Sequence, residues 1–131
     1  MILVDFSVWI DYFRDVPTRQ TDRLDAGLGS GDLAVGDLIL AEILQGSDTD
    51  REFNQVHRFL QPIPVIAIYD EAIAVQAARN YRALRMRGIT VRKTSETLIA
   101  MRCIVDGLAL LYADRNFDPF VAHLGMLSAM E

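Results

Sequence analysis

Sulfur chemistry is nearly missing from this chain, which holds a single cysteine, Cys103. One thiol forms no disulfide framework and no thiolate zinc site. Cys103 lies in a helical pattern between Met101 and Ile104, so a buried structural thiol is expected. Histidine is almost as scarce. His57 stands in a polar helical stretch and His123 near the C-terminus, which leaves no Ser/His/Asp arrangement and no histidine zinc triad in view. No apolar run approaches the roughly 20 residues that cross a bilayer. The opening MILVD has no charged segment ahead of an apolar one, so no signal peptide and a cytoplasmic location are expected. The phosphate-cradling glycine patterns GxxxxGK(S/T) and GxGxxG are absent too.

What is present is globular. The chain has 131 residues, 51% of them hydrophobic, which suits one domain, 1–131, around a full core. There is no internal repeat or low-complexity tract. The net charge of -5 would ordinarily argue against a nucleic-acid partner, but its distribution argues otherwise. Residues 72–95 contain Arg79, Arg82, Arg85, Arg87, Arg92 and Lys93, and no acid.

Strand and helix patterns alternate along the chain. MILV ends at Asp5 as a short buried strand, and SVWIDYFRD follows with helical spacing, Val8, Trp9, Tyr12 and Phe13 sharing a face. A helix from Pro17 to about Leu28 ends in GLGSG. LAV is a second strand, and Asp37 is placed to cap the helix LILAEILQG. TDREFNQVHRFLQ reads as a helix and IPVIAI as a third strand. Two long helices follow, DEAIAVQAARNYRALRMRG and TSETLIAMRCIVDG, the second with Thr94 as its expected N-cap. LALLY is a fourth strand, and a short helix around Pro119–His123 precedes a short last one. The alternation predicts a three-layer α/β domain, a mostly parallel twisted sheet flanked by helices.

Four carboxylates stand in unusual places. Asp5 closes the first strand, where capping the next helix would be its ordinary work. Glu42 sits in a helix apolar nearly all round, which predicts burial, and a buried lone carboxylate costs several kcal/mol. Glu96 lies in a first helical turn, where the macrodipole favours it by about 0.3–1 kcal/mol. Asp114 ends the fourth strand, in ADRNFD. Parallel α/β sheets gather ligands beyond the carboxyl ends of their strands, so all four are expected along one edge. Clustered carboxylates repel unless a cation holds them, and oxygen-only ligation favours Mg²⁺ or Mn²⁺ over zinc.

Beside them runs the basic strip. Ile73, Ala77, Tyr81 and Leu84 form an apolar face of one helix, with Arg79, Arg82 and Arg85 opposite. A solvated surface helix would carry both signs of charge. A one-signed strip beside a metal site suits a polyanionic substrate, its phosphates held by Arg and the scissile one on the metal. A receiver domain, also α/β, is a poor rival, because it needs a lysine after its fifth strand and Lys93 precedes a helix.

The stretches MILVDFSVWIDYF, LAEILQG and VRKTSETLIAMRCIVDGLALLYADRNFDPF resemble the PIN-domain ribonucleases, and more narrowly the VapC toxins of VapBC toxin–antitoxin modules. The resemblance covers nearly the whole chain in order. It implies a metal-dependent endoribonuclease, an inhibitory antitoxin partner and frequent homodimers. Asp5, Glu42, Glu96 and Asp114 match the family's catalytic and metal-binding acids, with Ser7 completing a D-x-S pattern, and Ser7 and Asn116 are expected to support the site. Glu96 stands where the family usually has Asp, and Asn116 where a second Asp is common in the last motif. These departures leave open an attenuated enzyme, or an impaired PIN domain that only binds antitoxin or RNA. The expected surfaces are Arg79, Arg82, Arg85, Arg92 and Lys93 for RNA, and Val8, Trp9, Tyr12 and Phe13 for an antitoxin helix.

Overall fold

The short apolar runs do become strands. The computed structural model describes residues 1–130 and places β1 (Ile2–Val4), β2 (Leu33–Gly36), β3 (Val65–Ile66), β4 (Ala109–Leu111) and β5 (Leu127–Ser128) in one sheet of order β3-β2-β1-β4-β5. Every pairing is parallel, with Leu3 opposite both Ala34 and Leu110. Parallel strands need crossovers, and the helical patterns supply them. They are α1 (Phe6–Phe13), α2 (Arg19–Gly27), α3 (Asp37–Gln45), α4 (Asp50–Leu60), α5 (Glu71–Met86), α6 (Thr94–Asp106) and α7 (Asp118–Leu124), with a 3₁₀ turn at Arg115–Phe117. The expected α/β architecture is therefore the observed one. Among the described residues no helix is long and apolar enough to cross a membrane.

Strand order supplies what local pattern could not. β1 is central, and the chain leaves it first toward β2 and β3, then crosses back to β4 on the other side. The reversal puts a crevice beyond the carboxyl ends of β1 and β4, where Asp5 and Asp114 stand. Leu3, Val4, Leu110 and Leu111 are fully buried beneath it, each contributing about 1.5–3 kcal/mol by leaving water. Burial also pushes the Cys103 thiol up to about 12, which makes it the inert core thiol expected.

Three local expectations are corrected. The IPVIAI strand shrinks to Val65–Ile66. Pro64 offers only its carbonyl, which accepts from the Val35 N–H, and the Ile68 N–H donates to Asp37 Oδ1 at 3.0 Å instead of extending a ladder. Asp37 is the first residue of α3 and Gly36 its cap. Lys93, not Thr94, caps α6, and the Thr94 carbonyl is taken by the Thr97 hydroxyl at 2.9 Å. Arg102 secures the turn after β3 to α6, donating to the Ile68 carbonyl at 2.9 Å and pairing with Asp70 and Asp106.

Candidate active site

Asp5 is fixed by where β1 stops. Its backbone N–H donates to the Leu111 carbonyl at 2.9 Å, which locks it beside β4. It also caps α1, its Oδ2 accepting from the Ser7 backbone N–H at 3.1 Å and from the Ser7 hydroxyl at 2.6 Å. The same Ser7 oxygen accepts from the Ala113 N–H at 3.1 Å. One serine thus joins the end of β1 to the residue preceding Asp114. Asp114 opens the 3₁₀ turn by accepting from the Asn116 backbone N–H at 2.9 Å. Glu96 comes in from the first turn of α6 and Glu42 from α3.

These acids share one cleft of about 40 Å³, lined also by Phe6, Ser7, Lys93, Ser95, Ile99 and Phe117. That volume admits about one water-sized occupant. The structure brings together all four acids singled out in the sequence. Glu96 is 4% exposed and Asp5 6%. Glu42 departs from expectation, being half-buried. Ile39 and Ile43 of α3 are the residues sealed in the core, while Glu42 itself lines the cleft. Phe6, Ser95 and Phe117 were not anticipated. Nothing in their local pattern distinguishes them from core or cap residues.

The electrostatics follow from crowding. Burial, more than any neighbour, holds the carboxyls of Asp5, Glu42 and Glu96 above their ordinary range. Asp114 raises Asp5 and Glu96 further, and Asp5 raises Glu42. Ser7 opposes the shift at Asp5, Asn116 and Lys93 oppose it at Glu96, and Lys93 does so at Glu42. An acid whose pKa rises on folding binds its proton more tightly in the folded state. The stability it contributes is complete below the unfolded value of about 4 and is lost as pH rises through the folded value. The metal-free protein is therefore expected to melt higher at about pH 5 than at about pH 8, and Mg²⁺ to restore the difference at the higher pH. Melts in chelator across that range check it. A flat profile would mean the three acids titrate as they do in an unfolded chain.

The other predicted surfaces divide. Arg79, Arg82 and Arg85 are exposed on α5, Arg92 and Lys93 are exposed on the approach to α6, and Lys93 reaches the cleft rim. The face of α1 splits. Val8 and Trp9 are fully buried in the core and offer nothing to a partner. Tyr12 and Phe13, on the last turn, instead line a groove of about 530 Å³ with Val16, Pro17 and Phe59. Phe59 of α4, absent from the sequence reading, is 41% exposed and meets Phe13 edge-on at 5.5 Å. Asp15, Asp22 and Asp25 also line this groove.

No family model matches the chain. It is 34% identical over 122 residues, 90% of this chain and 90% of each relative, to a VapC ribonuclease of Mycobacterium bovis and to ribonuclease VapC11 of Mycobacterium tuberculosis. Among solved structures it is similar to VapBC2 of Rickettsia felis bound to a promoter DNA fragment, with a TM-score of 0.74 at 17% identity over 98% of this chain and 97% of that one. It is also similar to FitAcB of Neisseria gonorrhoeae, with a TM-score of 0.68 at 20% identity over 90% and 91% of the two chains. At these identities the structural likeness is one of fold.

Proposed function

The chain belongs to the VapC family of ribonucleases, and from that premise we propose that it is a metal-dependent endoribonuclease, the toxin partner of an antitoxin, that hydrolyses RNA in the cleft of Asp5, Glu42, Glu96 and Asp114. The observation that carries the reading is the convergence of four carboxylates, from the ends of β1 and β4 and from α3 and α6, on one small cleft. Such crowding is unfavourable for the fold alone. Among the described residues no three of these side chains already stand in metal-holding geometry. The donor chemistry nevertheless fits Mg²⁺ or Mn²⁺, being all oxygen. Glu96 Oε2 is buried without a protein partner, and the side chains of Glu96 and Glu42 are long enough to turn onto an ion.

Asp5, Glu96 and Asp114 would hold the ion, with Ser7 keeping Asp5 in place. A bound Mg²⁺ supplies positive charge for a phosphate oxygen and lowers the pKa of water. Glu42, at the cleft wall with a raised pKa, is suited to take the proton of the attacking water. Lys93 would bind a phosphate oxygen at the rim, and the α5 arginines the flanking backbone. Water attack leaves the 2′-OH unused, so preference for RNA comes from the binding surface. The test is cleavage of a defined RNA pool with Mg²⁺ and with chelator. Cuts only with metal, and no 2′,3′-cyclic phosphate on the products, are expected. Cyclic phosphate ends would overturn water attack, and RNA binding without cuts would leave a binding module.

Two surfaces complete the proposal. Replacing Arg79, Arg82 and Arg85 by Gln is expected to weaken RNA binding and reduce the salt slope by about 3, with metal affinity unchanged. Titrations at several salt concentrations measure it, and an unaltered slope would make the strip an ordinary solvated face. The aromatic groove of Tyr12, Phe13 and Phe59, with its aspartates, suits an amphipathic antitoxin segment that brings apolar and basic side chains together.

A further inference from the structure

We infer that Asn116 is a positioning residue for Glu96, an inference that rests on the metal-centre reading above. Asn116 touches both acids on its side of the cleft. Its backbone N–H donates to Asp114 Oδ1 at 2.9 Å, and its side-chain Nδ2 donates to Glu96 Oε1 at 3.4 Å. The first bond belongs to the 3₁₀ turn and sets where residue 116 stands. The second reaches across to α6, and among the described residues it is the hydrogen bond given to the Glu96 side chain.

A glutamate has three side-chain torsions, and its helix restricts chiefly the first of them. Holding Oε1 from one side restricts where Oε2 can lie. That oxygen is the buried one without a protein partner. At 3.4 Å the bond is long, so it steers the carboxylate and leaves it free to adjust. A donor serves here and another carboxylate does not. Glu96 already has Asp114 and Asp5 as like-charged neighbours, and an aspartate at residue 116 would bring another carboxylate to the position of the amide. A serine there would be too short to reach. Asn116 is thus matched to Glu96, and the two belong together as donor and acceptor.

The test uses the full chain, with Mn²⁺ as the probe ion, read by calorimetry and by its spin-resonance signal, and with melts in chelator. Asn116→Ala is expected to stay folded and to bind Mn²⁺ about tenfold more weakly, with a changed Mn²⁺ signal. Asn116→Asp is expected to lower the metal-free melting temperature through like-charge repulsion. The exchanged pair Glu96→Gln with Asn116→Asp should recover that temperature, because Gln then donates to Asp and the charge count is that of the parent. Equal Mn²⁺ affinity and signal in the parent and Asn116→Ala would overturn the positioning role. So would an exchanged pair that melts no higher than Asn116→Asp alone. A parent that binds no Mn²⁺ would instead remove the metal centre, and the metal-free melts would still decide the pairing.

Discussion

Asp5→Asn is expected to reduce RNA cleavage by at least about 100-fold, while the protein folds and, without metal, melts at a higher temperature. The two effects have one cause. Asp5 is 6% exposed at the end of the central strand, and burial is what chiefly raises its pKa. Its charge is therefore costly to the fold and has to be worth something to the site. Asparagine retains an oxygen for the Ser7 N–H and hydroxyl, so the cap on α1 survives. What is lost is the charge of the proposed metal ligand. Single-turnover cleavage with Mg²⁺ and a melt in chelator measure both. Unchanged cleavage would remove Asp5 from the centre, and a lower metal-free melt would show that its charge stabilises the fold.

Gly36→Ala is expected to destabilise the protein by about 1–3 kcal/mol through overpacking. Its backbone, at φ -75 and ψ 148, is open to any residue. Space is the constraint. A methyl there would collide with Ile68 Cδ1, meet Ile68 Cγ1 at 2.7 Å and crowd Ile39 Cδ1 at 3.3 Å. Both isoleucines are fully buried, so neither swings into solvent. The damage should reach the chemistry, because Gly36 caps the helix that carries Glu42. Thermal melting reads the loss, a fall of several degrees being expected for a domain of this size. Adding Ile68→Val, which removes the Cδ1 methyl, should recover part of it. An unchanged melt would mean that β3 and the turn after it shift without cost.

Glu42 was legible because it breaks a local rule, a charge inside an apolar helix, whereas Asp5, Glu96 and Asp114 each had an ordinary local role and stood out only as a set at strand ends and a helix start. Their gathering along one edge was expected from the alternation of strands and helices. The strand order behind it was not, because β4 pairing with β1 is a choice that no window of sequence contains. Glu42 was expected buried because periodicity counts the residues around a position and cannot say which way that position faces. Val8 and Trp9 were grouped with Tyr12 and Phe13 because helical spacing puts them on one face. Only packing shows that the first turns of α1 are sealed in the core while its last turn meets α4. Asn116 was read as a supporting residue and a lost charge, but which acid it supports was hidden, since its bond to Glu96 spans 20 residues of chain.

The sheet order also governs when the molecule becomes complete. β1 precedes β4 in the chain, yet Ile2 pairs with Ala109, so its second neighbour comes from a segment far along the sequence. Long-range parallel pairing of this kind is slow, because the intervening loop must close before any contact rewards it. A growing chain carries Asp5 and Glu42 well before Asp114 exists. Until β4 slots in beside β1, the Leu111 carbonyl and the Ala113 N–H that hold Asp5 and Ser7 are out of place. A chain that stops before β4 therefore lacks the assembled acids, and their gathering waits on that one pairing.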